Sequence, residues 1–321
     1  MKKNNERTVS IIGTGLSSIF SCLRISEALS VRIQVFDKAR GLGGRLATRR
    51  ADGGRFDHGA QYMKINEISN LKEIQKLINN NIITNNGESE RFFSPTGMTN
   101  IAKFLLKDFD IKKEHKLLSI NKDKDHYILN FENNETIPTD DIILTCPIPQ
   151  TIEILSNSDI DYDYDALNEL KQLEYHPCIV VMIKSKNKLL NLNKELGSEL
   201  DFKNISWVGD NYLKKVSEIE NFYTVQCSPK FSLEHFDLEY EEINQILDKN
   251  LKDIFGSNYE VISNHKWRYS IPKNFYQKDS SLILDSSGFI GICGDIFTNG
   301  KVDGAIRSGI SMAEKYIKYE I

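Results

Sequence analysis

The five residues Thr8 to Ile12, β-branched but for one serine, run directly into Gly13-Thr-Gly15 and an apolar stretch from Leu16 to Leu29. Such a run reads as a strand buried on both faces, the glycines as a tight turn and the stretch as a helix. A second strand is expected from Val31 to Phe36, closed by Asp37. Strand, helix and strand in that order make a βαβ unit with a right-handed crossover, which commits the chain to a parallel sheet. The turn also carries chemistry. In Gly13-Thr-Gly15-Leu-Ser-Ser18 the first glycine permits the turn, and the second lets the backbone approach a pyrophosphate. The helix N-terminus, through Leu16 and Ser17, offers unpaired N–H groups and partial positive charge to phosphates. Asp37, 24 residues after Gly13, stands where a carboxylate accepts hydrogen bonds from a ribose. Ser18 replaces the third glycine of this dinucleotide fingerprint. The competing reading is a glycine turn in another α/β fold.

A chain of 321 residues has length for about two domains at roughly 150 residues each. With 40% hydrophobic and 27% charged residues it has the make-up of a folded globular protein. Lys+Arg 41 against Asp+Glu 45 gives a net charge of -4, which argues against a dedicated nucleic-acid binder. No apolar stretch approaches the roughly 20 residues that span a bilayer, so no membrane partner is expected. Cys22, Cys146, Cys178, Cys227 and Cys293 form no CxxC pair and no metal-ligand spacing. They read as reduced thiols of a cytoplasmic protein without a metal site, and Cys178 as buried rather than reactive. Lys2-Lys3 followed by Val9 to Leu23 could mimic a signal peptide, but glycines interrupt the run and no A-x-A-like site follows.

After Asp37 the pattern changes. A simple NAD-binding half would soon enter a second helix and third strand, whereas this chain runs Lys38-Ala-Arg-Gly-Leu-Gly-Gly44-Arg45-Leu-Ala-Thr-Arg-Arg50. Between Arg40 and Gly59 lie five arginines and six glycines, which predicts a long ordered loop. Its glycines let backbone lie against a cofactor, and Arg45 can pair with a diphosphate; the alternative, for Arg49 and Arg50 above all, is a solvated basic loop. Beyond it, helices are expected over Asn66–Asn80, Gly97–Asp108 and Tyr240–Phe255. A meander of strands is expected at Lys116–Ile120, Tyr127–Phe131 and Glu135–Ile137, and a buried strand at Asp141–Thr145. The acidic run Asp159 to Asp165 reads as a domain crossing. Strands follow at Cys178–Ile183, Ile205–Val208, Phe222–Cys227 and Tyr259–Trp267, and Lys184 to Lys188 as a solvated face. The chain closes with strand Phe289–Cys293, a Gly294-Asp295 turn and helix Asp303–Tyr319.

Several of these segments resemble the renalase-type flavoproteins, a branch of the amine-oxidase-like FAD superfamily. They are Arg40 to Arg50, Phe56-Asp-His58-Gly59-Ala60-Gln-Tyr62, Gly97-Met-Thr-Asn-Ile-Ala, Cys146-Pro-Ile-Pro-Gln150, His265-Lys-Trp-Arg-Tyr269, and Gly294-Asp295 with Val302-Asp-Gly304-Ala305. The resemblance is specific at both ends and patchy between about 155 and 260. It departs at Ser18, where glycine is usual, and at Asp37, where glutamate is common. It implies an α/β fold with a Rossmann-like FAD-binding domain from discontinuous segments (1–64, 93–155 and 286–321) and a mixed-sheet-plus-helix substrate domain (65–92 and 156–285). The cofactor-binding residues it implies are Gly13, Gly15, Leu16, Ser17, Asp37, Lys38, Gly44, Arg45, His58, Gly59, Ala60, Leu118, Gly294, Asp295, Val302, Gly304 and Ala305. The implied activity is oxidation of 2- or 6-dihydro isomers of NAD(P)H to NAD(P)+, with hydride transfer to flavin N5 and reduction of O2 to H2O2.

The residues themselves support parts of this. Asp295 is placed to hold a ribityl or phosphate-bearing segment. The helix after it would aim its N-terminus at the flavin, with Gly304 and Ala305 small enough to lie beside a flat ring. Strand alternation sends His265, Trp267 and Tyr269 one way and Lys266 and Arg268 the other, an aromatic wall for a pocket or a piece of core. Tyr62 and His58 are further pocket candidates. No residue suits a covalent flavin linkage, so FAD is expected to be dissociable. No H-E-x-x-H, G-x-S-x-G or P-loop occurs, and the 159–165 run fails as a calcium loop at Tyr164 and Leu170. The alternatives are an amine oxidase or desaturase-like dehydrogenase on the same scaffold, and a redox-silent flavin-binding protein.

Overall fold

The computed structural model describes residues 7–87, 90–187, 189, 197–202, 204–285 and 288–321. Lys2, Lys3 and Lys188 lie outside the described residues. The chain forms two compact units, one of 1–44, 102–174 and 272–321, the other of 45–101 and 175–271.

In the first unit six strands form one sheet, in the order Leu282–Asp285, Phe289–Ile292, Asp141–Leu144, Thr8–Ile12, Arg32–Asp37 and Asp110–Lys113. All neighbours are parallel except the first pair. The opening βαβ unit is present, with helix Leu16–Ala28 between Thr8–Ile12 and Arg32–Asp37. Val9, Ile11, Val35, Ile142 and Ile143 have no exposure, as strands covered on both faces require. After the central strand Thr8–Ile12 the chain goes to Arg32–Asp37 on one side, while Asp141–Leu144 and Phe289–Ile292 line up on the other, and such a switch in strand order opens a crevice at the strands' carboxyl ends.

The closing helix Val302–Glu320 packs on the first helix, Leu16–Ala28. Ser17 Oγ donates to Ala305 O at 2.9 Å and Ser21 Oγ to Gly309 O at 3.0 Å. The expected meander forms a separate antiparallel sheet of Leu117–Asp123, His126–Phe131 and Thr136–Thr139.

The second unit is built on five strands in the order Gly197–Phe202, Ile205–Asp210, Phe222–Cys227, Tyr175–Ser185 and Tyr259–Pro272. Period-two alternation divides its side chains between two faces. Ile179, Val181, Ile183, Val208, Tyr223 and Val225 pack with Ile243, Leu247 and Leu251 of helix Tyr240–Phe255. Met182 and Phe222 face the other way, against Phe56.

Several expectations are corrected. The 40–59 segment is not all loop: Thr48–Ala51 and Gly54–Asp57 form a hairpin. Its two turn residues, Asp52 and Gly53, have φ of 48° and 75°, the geometry that Asp-Gly favours. The helix expected over 66–80 is confined to Lys72–Asn79, and that over 97–108 to Thr99–Leu105. Ile65 and Ile68 are still buried, but through turns that the apolar spacing did not distinguish from helix. The acidic run is no crossing. Asp163 caps helix Tyr164–Leu170, its Oδ1 accepting from the Asp165 and Ala166 amides, and the unit boundary falls at 174/175. Residues 45–64, expected with the nucleotide domain, group with 175–271, because the hairpin packs there through Phe56. Lys184 is exposed, as expected of a solvated face, and pairs at the surface with Asp52 at 2.7 Å. Among the described residues no helix is long and apolar enough to cross a membrane.

Candidate functional site

In the first unit the Gly13–Gly15 turn sits at the carboxyl end of the central strand. Gly13 N donates to Phe36 O at 2.7 Å. Gly13 has a φ of 114°, and a Cβ there would press on Thr145 Oγ1, so glycine is required twice over. Gly15 differs. Its φ is −72°, and a Cβ added to it would meet no heavy atom within 4 Å. The bare backbone therefore faces open space, at the start of a helix with no acidic residue in its first turn and no side-chain cap. Leu16 and Ser17 supply the next amides of that anion-attracting terminus. Gly44 (φ 54°) comes back to this turn, its Cβ position 3.6 Å from Gly15 Cα, so the Arg/Gly loop begins against the fingerprint. Gly294, two residues past strand Phe289–Ile292, likewise has nothing within 4 Å of an added Cβ. Gly15 and Gly44 thus lie side by side with open space at a helix N-terminus, an arrangement whose chemistry suits a phosphate group.

Asp37 is 9% exposed, and its carboxylate is engaged by the turn itself. Oδ2 accepts from Thr14 N at 2.9 Å and from the Thr14 hydroxyl, and Oδ1 accepts from Ala39 N at 2.8 Å. Those three donors occupy three of roughly four lone-pair sites. Gly43 N in turn donates to Thr14 Oγ1 at 3.1 Å. Thr14, unremarked in the sequence, thus links fingerprint, Asp37 and loop, a role visible only once the 38–44 chain returns. Lys38 and Leu118 are exposed, Asp295 is buried at the head of a 3-10 turn, and Val302 opens the closing helix. Gly304 was expected beside a flat ring. Its Cβ position instead presses on the Thr298 hydroxyl and the Asn299 carboxamide, so its smallness serves the turn before the helix. Ala305 holds Ser17 through its carbonyl.

The remaining sequence-derived candidates lie in the second unit. Arg45 Nη1 donates to Ser270 O at 2.8 Å. The segment 57–60 runs back along 45–47: His58 N and Gly59 N donate to Ala47 O and Ala60 N to Arg45 O, so a Cβ on Gly59 would stand 2.8 Å from the Arg45 carbonyl carbon. Trp267 Nε1 donates to His58 O at 2.7 Å, and the two rings stack at 5.6 Å. His265 meets both rings edge-on, at 4.8 and 4.3 Å. Arg49 completes the group, with Nη1 on Ser263 Oγ at 2.7 Å and Nη2 3.4 Å from His265 Nδ1; it is no solvated loop arginine. The opposite face of this strand carries Lys266, which donates to Leu238 O, and Arg268, whose guanidinium lies over Phe236. Tyr269 contacts Tyr175, and Tyr62 lies apart from the histidines, tilted on Trp207 under the Arg91 guanidinium.

Desolvation first, then the neighbouring His265 and Arg49, push His58 down to about 3. Burial and Arg49 push His265 down to about 4. Both imidazoles are therefore neutral throughout the physiological range. An unfolded His58 takes up its proton near 6.5, so the folded form loses stability as pH falls from there towards 3. At pH 5 that loss is about 2 kcal/mol. We expect urea unfolding of His58→Leu to show a pH 7 to pH 5 loss smaller by this amount than the native chain; equal losses would show that His58 titrates normally.

The five cysteines are free, and burial pushes the Cys22, Cys178 and Cys293 thiols up to about 12. Burial pushes Cys146 and Cys227 up as well, which disfavours the thiolate at all five.

Comparison with known proteins agrees with this architecture. Residues 67–317 match the family of flavin-containing amine oxidoreductases, and residues 11–78 an NAD(P)-binding Rossmann-like domain. Among solved structures, one described as a "putative protoporphyrinogen oxidase" from Exiguobacterium sp. 255-15 superposes with a TM-score of 0.72 at 13% identity, over 97% of this chain and 99% of that one. A double mutant of putrescine oxidase gives 0.68 at 12% identity, over 98% and 99%. At these identities the likeness is one of fold.

Proposed function

Since the chain belongs to the flavin-containing amine oxidoreductase family and is thereby an FAD-dependent oxidoreductase, we propose that it is an oxidase of renalase type. Its substrates on this reading are the 2- and 6-dihydro isomers of NAD(P)H, oxidised to NAD(P)+ while O2 is reduced to H2O2. Bound FAD supplies the two-electron acceptor at N5 and passes the electrons to oxygen. The protein's share is placement. We assign the pyrophosphate to the Gly13–Ser17 turn and helix terminus with Gly44, the adenosine ribose to Asp37 and Lys38, and the remaining length of the cofactor to Leu118, Gly294, Asp295, Val302 and Ala305. Arg45, His58, Gly59 and Ala60 are the second unit's cofactor contacts on this reading, and Tyr62, His265, Trp267 and Tyr269 its substrate-facing candidates.

The observation that favours a dihydronicotinamide over an amine is the charge at the His58–His265–Trp267 group. Both imidazoles are neutral, and the charged group acting on them is the Arg49 guanidinium. A protonated amine is repelled there, whereas a neutral dihydropyridine can stack on aromatic rings and its phosphates are attracted. A stacked pose brings one ring carbon near N5, an orientation that lowers the entropic barrier. The ordinary 4-dihydro isomer carries its hydride on another carbon and presents it poorly. Anaerobic stopped-flow mixing tests this: we expect rapid flavin bleaching by the 2- or 6-dihydro isomers, slow bleaching by ordinary NAD(P)H, and little by simple amines. Faster reduction by a primary or secondary amine than by either isomer would make the enzyme an amine oxidase.

A further inference from the structure

Lys214 has no exposed surface, although its neighbours Tyr212 and Leu213 are each 37% exposed. Hydrophobic burial alone would turn this segment the other way, with the leucine inside. Nζ donates to Asp57 Oδ2 at 3.1 Å and to Gln61 Oε1 at 2.9 Å, and Asp57 is also fully buried. The other carboxylate oxygen accepts from Thr48 Oγ1 at 2.6 Å and Met98 N at 2.9 Å. Gln61 closes the circuit, its Nε2 donating to Asp57 O at 2.6 Å and Gly59 O at 3.1 Å.

What this network grips is the backbone of 57–60. Asp57 O also accepts from Thr224 Oγ1, His58 O from Trp267 Nε1, and Gly59 O from Gln226 Nε2. Asp57 N donates to Asn211 Oδ1, and the next three amides donate to the 45–47 backbone. Four successive residues are thus pinned through seven of their eight backbone N–H and C=O groups. A buried ion pair is a poor means of stabilising a fold, since a well-packed apolar pair of similar volume does as well or better. It does fix register and place, because every alternative position strands a charge.

We propose that Lys214 is a positioning residue for flavin binding, acting through Asp57 and Gln61 to hold the 57–60 arch in its cofactor-contacting place. The inference rests on the assignment of His58, Gly59 and Ala60 to the cofactor. The test measures FAD affinity of the apoprotein and the visible circular dichroism of the bound flavin, beside the melting temperature. Asp57→Asn combined with Lys214→Met removes both charges and keeps an acceptor for Thr48 and Met98. Gln61→Leu cuts the link without stranding a charge beyond the Asp57 pair, and decides the matter if the double variant fails to fold. We expect FAD to bind at least tenfold more weakly with an altered visible dichroism. A lower melting temperature with unchanged FAD affinity and dichroism would make the pair structural only and overturn the proposal. Ala60→Leu separates the two readings. If it binds FAD normally, the arch does not meet the cofactor and the assignment falls with the inference. If it weakens FAD while the network variants do not, only the inference falls.

Discussion

Replacing Gly15 by valine should leave the fold standing and abolish flavin binding. The two halves of that outcome have separate causes. Gly15 has an ordinary φ of −72°, and nothing within 4 Å opposes a Cβ, so the protein itself accepts the larger residue. The open space beside it is where the proposed pyrophosphate approaches the helix N-terminus, and a branched side chain fills it. A loss of more than about 100-fold in FAD affinity, near 2.7 kcal/mol, is expected. Titration of the apoprotein with FAD, beside a melting curve, measures both. A folded variant that stays yellow would remove the pyrophosphate from this turn. The same substitution at Gly13 cannot make the distinction, since positive φ and the Thr145 hydroxyl penalise any side chain there with or without a ligand.

The second large effect is one of stability, and its sign is the test. Alanine for glycine inside an exposed helix ordinarily gains about 1 kcal/mol. Gly309 lies inside the closing helix Val302–Glu320, so helix propensity alone expects Gly309→Ala to stabilise. Its Cβ position, however, is 2.9 Å from both the Cα and the carbonyl carbon of Ser17 and closer still to the carbonyl oxygen. Backbone cannot rotate aside as a side chain can, so the first and last helices must part. Overpacking costs up to about 3 kcal/mol, which leaves a net loss of about 2 kcal/mol. Chemical denaturation reads this directly. An unchanged or raised midpoint would mean that the two helices are not packed so closely, and the Ser17–Ala305 and Ser21–Gly309 hydrogen bonds would be in doubt with them.

What the sequence determined by itself was whatever is encoded over short stretches. Short apolar, β-branched runs marked the strands expected at Thr8–Ile12, Val31–Phe36, Asp141–Thr145 and Phe289–Cys293, each within a residue of the observed ends, and the helix expected over Tyr240–Phe255 is found to the residue. The fingerprint turn was legible because its chemistry requires glycine at fixed spacing. Alternation alone separated His265 and Trp267 from Lys266 and Arg268. The Asp52-Gly53 hairpin was also written locally, as an Asp-Gly pair between short runs, although the density of arginine and glycine around it masked the signal. The tertiary structure decided what depends on partners distant in the chain. Thr14 matters because residues 38–44 return to it, and Gly309 because Ser17 lies opposite. No local pattern marks Lys214; only folding brings Asp57, 157 positions earlier, beside it at zero exposure. Composition and periodicity record how often a side chain meets the core. They do not record which buried charge meets which, because that pairing is fixed by three-dimensional closure of the chain and by the cost of leaving either charge alone.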